Sequence, residues 1–371
     1  MQKKQREDKA KAAKVKDKKK RDKKDKHALH KSANLGACRV MADSFTGLRV
    51  GTDFSGWDTP IMSLRALSIR HLHVFSCEKE PHLRRLIRQN SNPLKVYKDV
   101  VSRSPGMSLP CDLYVAGPPC QPWSSAGKGG GLSDEAGCGG LLWSSLAYIG
   151  MERPKVAVIE NVKGLLLKHR RMFEKFVADF KGKGYTVFWE VMNTMSHGLP
   201  QNRPRIYFVG FRSDLHVADF EFPSPLKAHV PIERILRPGN FGPEFTPKSH
   251  SNAKSRIREA RRALKSKGVD VEATPVFVDV AASKRFAVVA VGYCPCITYS
   301  RGSQGGYYVT NLKRKLTLED RAACTALAPQ GLAWLAPSRS QQGRLEVRPP
   351  TDPHNKVKLP VRRCRSCRGS G

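Results

Sequence analysis

One thiol in this sequence sits in a setting suited to attack. Cys120 falls within Leu113-Tyr-Val-Ala-Gly-Pro-Pro-Cys-Gln-Pro-Trp-Ser-Ser125. The apolar run 113–116, with its β-branched and aromatic residues, predicts a short buried strand. Gly117, Pro118 and Pro119 then forbid both a continued ladder and an immediate helix. The chain must turn, and it presents Cys120 on a stiff loop beyond the strand's C-terminal end. In an open α/β sheet that edge is where ligands bind. A thiol with little conformational entropy left to lose is a suitable nucleophile.

Other chemistry-bearing residues stand at similar places. Glu160 ends the apolar run Val156-Ala-Val-Ile159 and is a candidate acid. Arg203 and Arg205 alternate with Asn202 and Pro204 ahead of a predicted strand over 206–211. Period-two geometry sends both guanidinium groups to one side, where they could hold a carbonyl, a thiolate or a phosphate. Nearer the N-terminus, a strand over 48–54 opens at Asp53-Phe54-Ser55-Gly56 into a helix over 60–66. That is the usual arrangement for a nucleotide-like cofactor. A second strand over 72–76 ends at Cys77-Glu78, and a carboxylate roughly 20 residues beyond a glycine turn can accept ribose hydroxyls.

Three blocks in this order, Gly117-Pro-Pro-Cys-Gln-Pro-Trp-Ser124, Glu160-Asn-Val162 and Gln201-Asn-Arg-Pro-Arg205, resemble the motifs of cytosine-5 DNA methyltransferases. Arg314-Lys-Leu-Thr-Leu-Glu-Asp-Arg321 resembles a later Arg-x-Leu-Thr-x-x-Glu block of that family. The resemblance implies an α/β fold: a Rossmann-like S-adenosylmethionine-dependent methyltransferase sheet with a small target-recognition domain. It implies S-adenosyl-L-methionine as cofactor and Cys120 as the nucleophile that adds to carbon 6 of cytosine. Glu160 would then be the acid at N3, with Arg203 and Arg205 at the target base. On the cofactor side it implies Asp53, Phe54 on the adenine, Ser55, Gly56, Trp57, Glu78 on the ribose, Asp99 on the adenine amino group, and Pro119. A base inside a stacked duplex is out of reach and must be flipped out. Gln121, Ser124, Lys128 and Gln201 are the residues expected to meet the nucleic acid, and the glycines of 127–131 permit closure over the base. Two departures stand out. Asp58 and Thr59 replace the second glycine pair of the family's Phe-x-Gly-x-Gly-Gly turn, and Asp58 could instead meet the cofactor's ammonium group. No counterpart of the family's Gln-x-Gly-Asn-x-Val-Pro block follows Gly331, which keeps a catalytically silent DNA-binding protein beside the enzyme as a reading. An RNA cytosine-5 methyltransferase is the other alternative.

Composition bounds the partners. The 371 residues hold 66 Lys/Arg against 32 Asp/Glu, a formal net charge of +34. Such an excess points to a polyanion, with nucleic acid leading and an anionic membrane surface or an acidic protein as blander choices. The resemblance implies double-stranded DNA as the partner, with RNA as the alternative. No run of eighteen apolar residues is present, so no membrane-spanning helix is expected. Residues 1–32 carry 15 Lys/Arg and 5 Asp/Glu with almost no large apolar side chain, which predicts a disordered basic tail over 1–47. Its Lys18-Lys-Lys-Arg21 cluster would suit nuclear import, or nucleoid association in a prokaryote. Residues 48–221 are expected to form the catalytic and cofactor-binding domain, 222–297 the recognition domain, 298–335 a return to the catalytic domain, and 336–371 a disordered tail. Within the recognition domain, a basic helix over 253–267 carries seven Lys/Arg and could follow a phosphate backbone. Ten cysteines without a dense framework suggest a reducing compartment. Cys294-Pro-Cys296 and Cys364-Arg-Ser-Cys367 have no nearby histidine, and no metal is expected.

Overall fold

A computed structural model describes residues 35–103, 108–124, 130–133, 138–215, 217, 219–236, 252–281, 288–298, 301 and 306–325. The chain divides into two compact units, one made of 1–190 with 206–220, the other of 191–205 with 221–371. Each is described by itself.

The first unit is built on a seven-stranded sheet in the order β3-β2-β1-β4-β5-β8-β6. Its strands are β1 (Leu48–Asp53), β2 (His71–Cys77), β3 (Lys95–Tyr97), β4 (Leu113–Ala116), β5 (Val156–Val162), β6 (Tyr185–Asn193) and β8 (Pro204–Arg212). β1 pairs in parallel with both β2 and β4, β2 with β3, and β4 with β5. The chain therefore leaves β1 toward one edge and resumes at β4 toward the other. That reversal is a topological switch point, and the crevice beyond the carboxyl ends of β1 and β4 is the expected ligand position.

Helices cover the sheet because their apolar residues recur on one face. In α6 (Arg170–Gly182), Phe173, Phe176 and Phe180 are buried. Phe173 and Phe176 lie 5.8 and 4.9 Å from Phe208 of β8, ring centre to ring centre. The other helices of this unit are α2 (Thr59–Ala66), α3 (Pro81–Asn90), α4 (Leu141–Glu152) and α5 (Gly164–Lys168). They begin with α1, over 35–44, which corrects the expectation that order starts near Leu48. Leu35, Cys38 and Ala42 of α1 are buried. Arg39 donates to the Ser108 carbonyl at 2.8 Å and Cys38 Sγ to the Leu94 carbonyl at 3.5 Å. A small apolar face at helical spacing was enough to dock a segment whose neighbours read as tail.

The second unit holds a four-stranded sheet, β10-β9-β12-β13. These strands are β9 (Val276–Asp279), β10 (Val289–Val291), β12 (Tyr307–Val309) and β13 (Arg314–Lys315). Val276 and Val278 of β9 pack with Ile257, Ala260 and Leu264 of α7 (Asn252–Lys265). Phe277 packs with Ile232, Leu236, Leu316 and Cys324. Alternation along one strand thus serves two cores. Because β12 pairs with β9 and β13, and α8 (Leu318–Cys324) buries Cys324 in the same cluster, 306–325 belong to this unit. The expected return of 298–335 to the catalytic domain is corrected accordingly. As expected, Thr317 caps α8 in a capping box with Asp320, and Arg314 forms a buried ion pair with the same carboxylate. A two-stranded parallel pair, β7 (Gln201–Asn202) with β11 (Cys294–Pro295), completes the unit.

Candidate active site

In the first unit the two predicted loops emerge side by side at the switch point. Gly117 N–H donates to the Asp53 carbonyl at 3.4 Å, which ties the β4 loop to the end of β1. After Pro118 and Pro119 the chain makes a single 3₁₀ turn over Gln121–Trp123, with Cys120 as its first flanking residue. Trp123 N–H returns to the Cys120 carbonyl at 3.1 Å, and the Trp123 indole is fully buried beneath the turn. Cys120 itself is a half-buried thiol, Gln121 is exposed and Ser124 is half-buried. Lys128 lies outside the described residues.

Glu160 comes to this loop through register. β5 pairs with β4 so that Ala116 faces Ile159, which puts Glu160 beside Gly117. A methyl group added to Gly117 would lie 3.7 Å from Glu160 Oε2. The next residue, Asn161, is fully buried; its side-chain amide donates to the Pro118 carbonyl at 3.4 Å and its oxygen accepts from Val162 N–H at 2.8 Å. Gly164 at the start of α5 packs so closely on this turn that a methyl there would stand 2.2 Å from the Trp123 carbonyl oxygen. Asn161 and Gly164 thus fix the loop, and neither had a separate role in the sequence reading.

The β1 loop is held differently. Phe54, Gly56 and Asp58 all have positive φ, at 53°, 55° and 58°. Asp58 is fully buried, with Oδ1 accepting from Thr52 Oγ1 and Oδ2 from Ser76 Oγ, each at 2.7 Å. Its expected contact with a cofactor ammonium group is therefore corrected: the carboxylate faces inward. The substitution for glycine works because aspartate tolerates the left-handed region better than most residues and its side chain is locked. Ser55 Oγ lies 2.8 Å from Thr52 Oγ1 and accepts from Cys77 N–H at 3.1 Å. His73 joins the network through Ser76 at 3.0 Å, and burial lowers its pKa against the opposing pull of Asp58.

Asp53 is likewise engaged away from any ligand. Its carboxylate, fully buried, takes a bidentate pair from Arg103 at 2.7 and 2.6 Å and the Tyr114 hydroxyl at 2.6 Å. Arg103 lies 5.1, 5.3 and 4.8 Å from the ring centres of Phe75, Tyr97 and Tyr148. Burial works against its charge, yet Asp53 outweighs that and holds the guanidinium pKa above its ordinary value. Arg103, the partner of Asp53, stands in none of the motifs. Glu78 does meet the loop: Oε2 accepts from Gly56 N–H at 2.8 Å and Oε1 from Glu80 N–H at 2.9 Å. Glu78 N–H bonds to the Tyr97 carbonyl at 3.2 Å, just before Asp99, whose Oδ1 accepts from Val101 N–H at 3.0 Å. Trp57 leaves about half its surface exposed, and Pro119 is half-buried.

In the second unit, Gln201 to Arg205 are held by the preceding turn. Asn193 Oδ1 accepts from Arg203 N–H at 2.9 Å, and Thr194 Oγ1 donates to the Gln201 carbonyl at 2.6 Å. The Gln201 side chain, expected to meet the nucleic acid, is buried. Arg203 and Arg205 share a side, as period two requires, and both reach Cys296 Sγ. Among the described residues no group of three or more His, Cys, Asp or Glu is arranged to hold a metal ion, and no helix is long and apolar enough to cross a membrane. Cys364 and Cys367 lie outside them.

The fold and the loops at its switch point define an α/β protein of the Rossmann-like methyltransferase type. A model of the C-5 cytosine-specific DNA methylases matches residues 54–323, and the chain belongs to that family. It is 37% identical over 172 residues to the type II methyltransferase M.HaeII of Haemophilus aegyptius, covering 46% of this chain and 52% of that protein. With M.NgoBI of Neisseria gonorrhoeae it is 36% identical over 165 residues, covering 44% and 50%. The chain thus spans about half the length of these curated relatives. A solved structure from an E. coli prophage, assigned as a DNA modification methyltransferase, superposes with a TM-score of 0.51 at 16% identity, over 74% of this chain and 87% of that one. That likeness speaks for the fold.

Proposed function

We propose that this chain methylates carbon 5 of cytosine in double-stranded DNA, with S-adenosyl-L-methionine as donor and Cys120 as covalent nucleophile. The observation that carries the reading is the Glu160 carboxylate set over Gly117 of the Pro-Pro-Cys turn, at the switch point of the sheet. Family membership and the type II relatives support DNA over RNA as substrate. The relatives named above are bacterial and lend no support to a nuclear placement; a nucleoid association follows from the substrate.

The residues present fit the cofactor. The Phe54–Trp57 loop turns through two positive-φ residues, and Gly56 N–H donates to Glu78. On bound cofactor Glu78 would take the ribose hydroxyls, Phe54 would pack on the adenine and Asp99 would meet its amino group. Ser55, Trp57 and Pro119 would line the remainder, with Asp53 acting through the loop's position. Bound S-adenosylmethionine would supply an electrophilic methyl group for carbon 5. The chain does the rest. Cys120 adds as thiolate to carbon 6 of a flipped cytosine, and Glu160 gives a proton to N3, so the charge built on the ring is neutralised. Arg203 and Arg205 hold the base carbonyl. Loss of the carbon-5 proton to solvent, departure of Cys120 and return of the N3 proton to Glu160 restore the ring, the thiolate and the acid. Gln121 and Ser124, flanking the nucleophile, meet the nucleic acid.

Duplex DNA carrying 5-fluorocytosine tests this, because fluorine cannot leave as a proton does. With S-adenosylmethionine the expected product is a denaturation-resistant adduct that disappears in Cys120→Ser. An adduct on RNA alone would reassign the substrate, and none on either would make the chain a binder.

A further inference from the structure

Arg203 and Arg205 share a neighbour that their own motif does not contain. Arg203 Nη1 donates to Cys296 Sγ at 3.4 Å, and Arg205 Nη2 reaches the same sulfur at 3.7 Å. Cys296 lies 93 residues further along the chain than Arg203. It is delivered by β11, which runs parallel to β7 with Cys294 opposite Gln201 and Pro295 opposite Asn202. Cys294 N–H bonds to the Pro200 carbonyl at 2.8 Å, and the Tyr307 hydroxyl donates to the Cys296 carbonyl at 3.3 Å. Cys294 is fully buried in the core around Phe277, and Pro295 fixes its own φ. The thiol therefore stands on a rigid segment anchored on both sides.

Two guanidinium groups converging on one point repel each other, and an acceptor between them offsets that repulsion. Sulfur suits this position because it is a weak acceptor, able to orient donors yet readily displaced by an oxygen. We propose that Cys296 is a positioning residue that keeps Arg203 and Arg205 converged on one point, where an oxygen of the target nucleotide takes the place of the sulfur. This rests on the reading above, in which those arginines meet the base.

The full chain would be assayed on duplex DNA as Cys296→Ala, Cys296→Val and Cys296→Ser. Losing the shared acceptor should cut kcat about tenfold in Ala and Val with the KM for DNA within about twofold, whereas Ser, whose hydroxyl accepts the same N–H groups, should recover to within about threefold. Full activity in Ala, or equal losses in all three, overturns the proposal. A second measurement does not need methylation: phenylglyoxal modification of Arg203 and Arg205, followed by peptide mass spectrometry. Modification should rise in Ala and Val but not in Ser; equal modification in every variant overturns the positioning role. A wild-type chain inactive on DNA would remove the functional reading, while the arginine modification would still decide the contact.

Discussion

The two loops at the switch point are made rigid by opposite means. The β1 loop, Phe54 to Asp58, holds three residues at positive φ by placing polar side chains beneath them: Asp58 between Thr52 and Ser76, and Asp53 clamped by Arg103 and Tyr114. From Gly117 to Ser124, the described residues of the β4 loop, no side chain is charged. Two prolines restrict it, Asn161 holds one of its carbonyls, and Gly164 lets α5 press against the Trp123 backbone. The difference teaches where each loop is vulnerable. Buried charges fail by losing a partner, whereas close packing fails by gaining an atom. On the proposed function, the loop that takes a ligand with many polar groups is preset by electrostatics, and the one that aims a single sulfur is preset by shape.

The largest effect should come from Arg103→Met. It leaves the Asp53 carboxylate, fully buried, with only the Tyr114 hydroxyl to meet it. Breaking a buried pair by removing one partner costs about 3–5 kcal/mol, so thermal unfolding of the variant should fall sharply. Asp53→Asn in the same chain should restore part of the loss, since the uncompensated charge is gone. Should the single variant melt like the parent, the β1 loop would not be held by charge.

Asp58→Ala is the next step down. It strips an acceptor from Thr52 and from Ser76 and leaves a residue at φ 58° without the aspartate's tolerance for that region. Losing a buried charged acceptor of this kind costs about 1–3 kcal/mol. Asp58→Gly separates the two causes, because glycine accepts the backbone angle but offers no carboxylate. If hydrogen bonding dominates, Gly should melt close to Ala and both should bind S-adenosylmethionine more weakly by calorimetry. Recovery in Gly would shift the explanation to backbone strain.

These residues also mark where sequence reading stopped. The Pro-Pro-Cys turn, Glu160 and the shared side of Arg203 and Arg205 were legible, because each depends on residues within a few positions and on strand periodicity. The strand–turn–helix at Phe54-Ser-Gly56 and the capping box at Thr317 were legible for the same reason. Arg103 was not, for its partner lies 50 residues away and nothing local distinguishes it from other arginines. Cys296 stands out locally only as half of a Cys-Pro-Cys pair without a nearby histidine, because the arginines it meets lie 93 and 91 residues away in the chain. Asp58 was misread because replacement of a glycine suggests a new outward contact, whereas the buried hydroxyls of Thr52 and Ser76 draw it inward. The helix over 35–44 was hidden by the charge of the segment before it. In the second unit, the pairing of β12 with β9 decided where 306–325 belong, and pairing across some thirty residues leaves no local trace.

The β4 loop should give the smallest change in stability and the clearest test of the contrast. Gly164→Ala adds one methyl group that would stand 2.2 Å from the Trp123 carbonyl oxygen, which is backbone and cannot swing aside as a flexible side chain would. Overpacking of this kind costs about 1–3 kcal/mol when the surroundings shift, and because Trp123 follows Cys120 by three residues the shift passes directly to that thiol. Catalysis is far more sensitive than folding to such a displacement: about 1 Å of misplacement can cost roughly a hundredfold in rate. The expected result is a variant that melts within a few degrees of the parent, binds S-adenosylmethionine as before, and forms the 5-fluorocytosine adduct at least tenfold more slowly. Weaker cofactor binding with normal adduct formation would mean that the two loops share one support, and the contrast between charge and shape would fall with it.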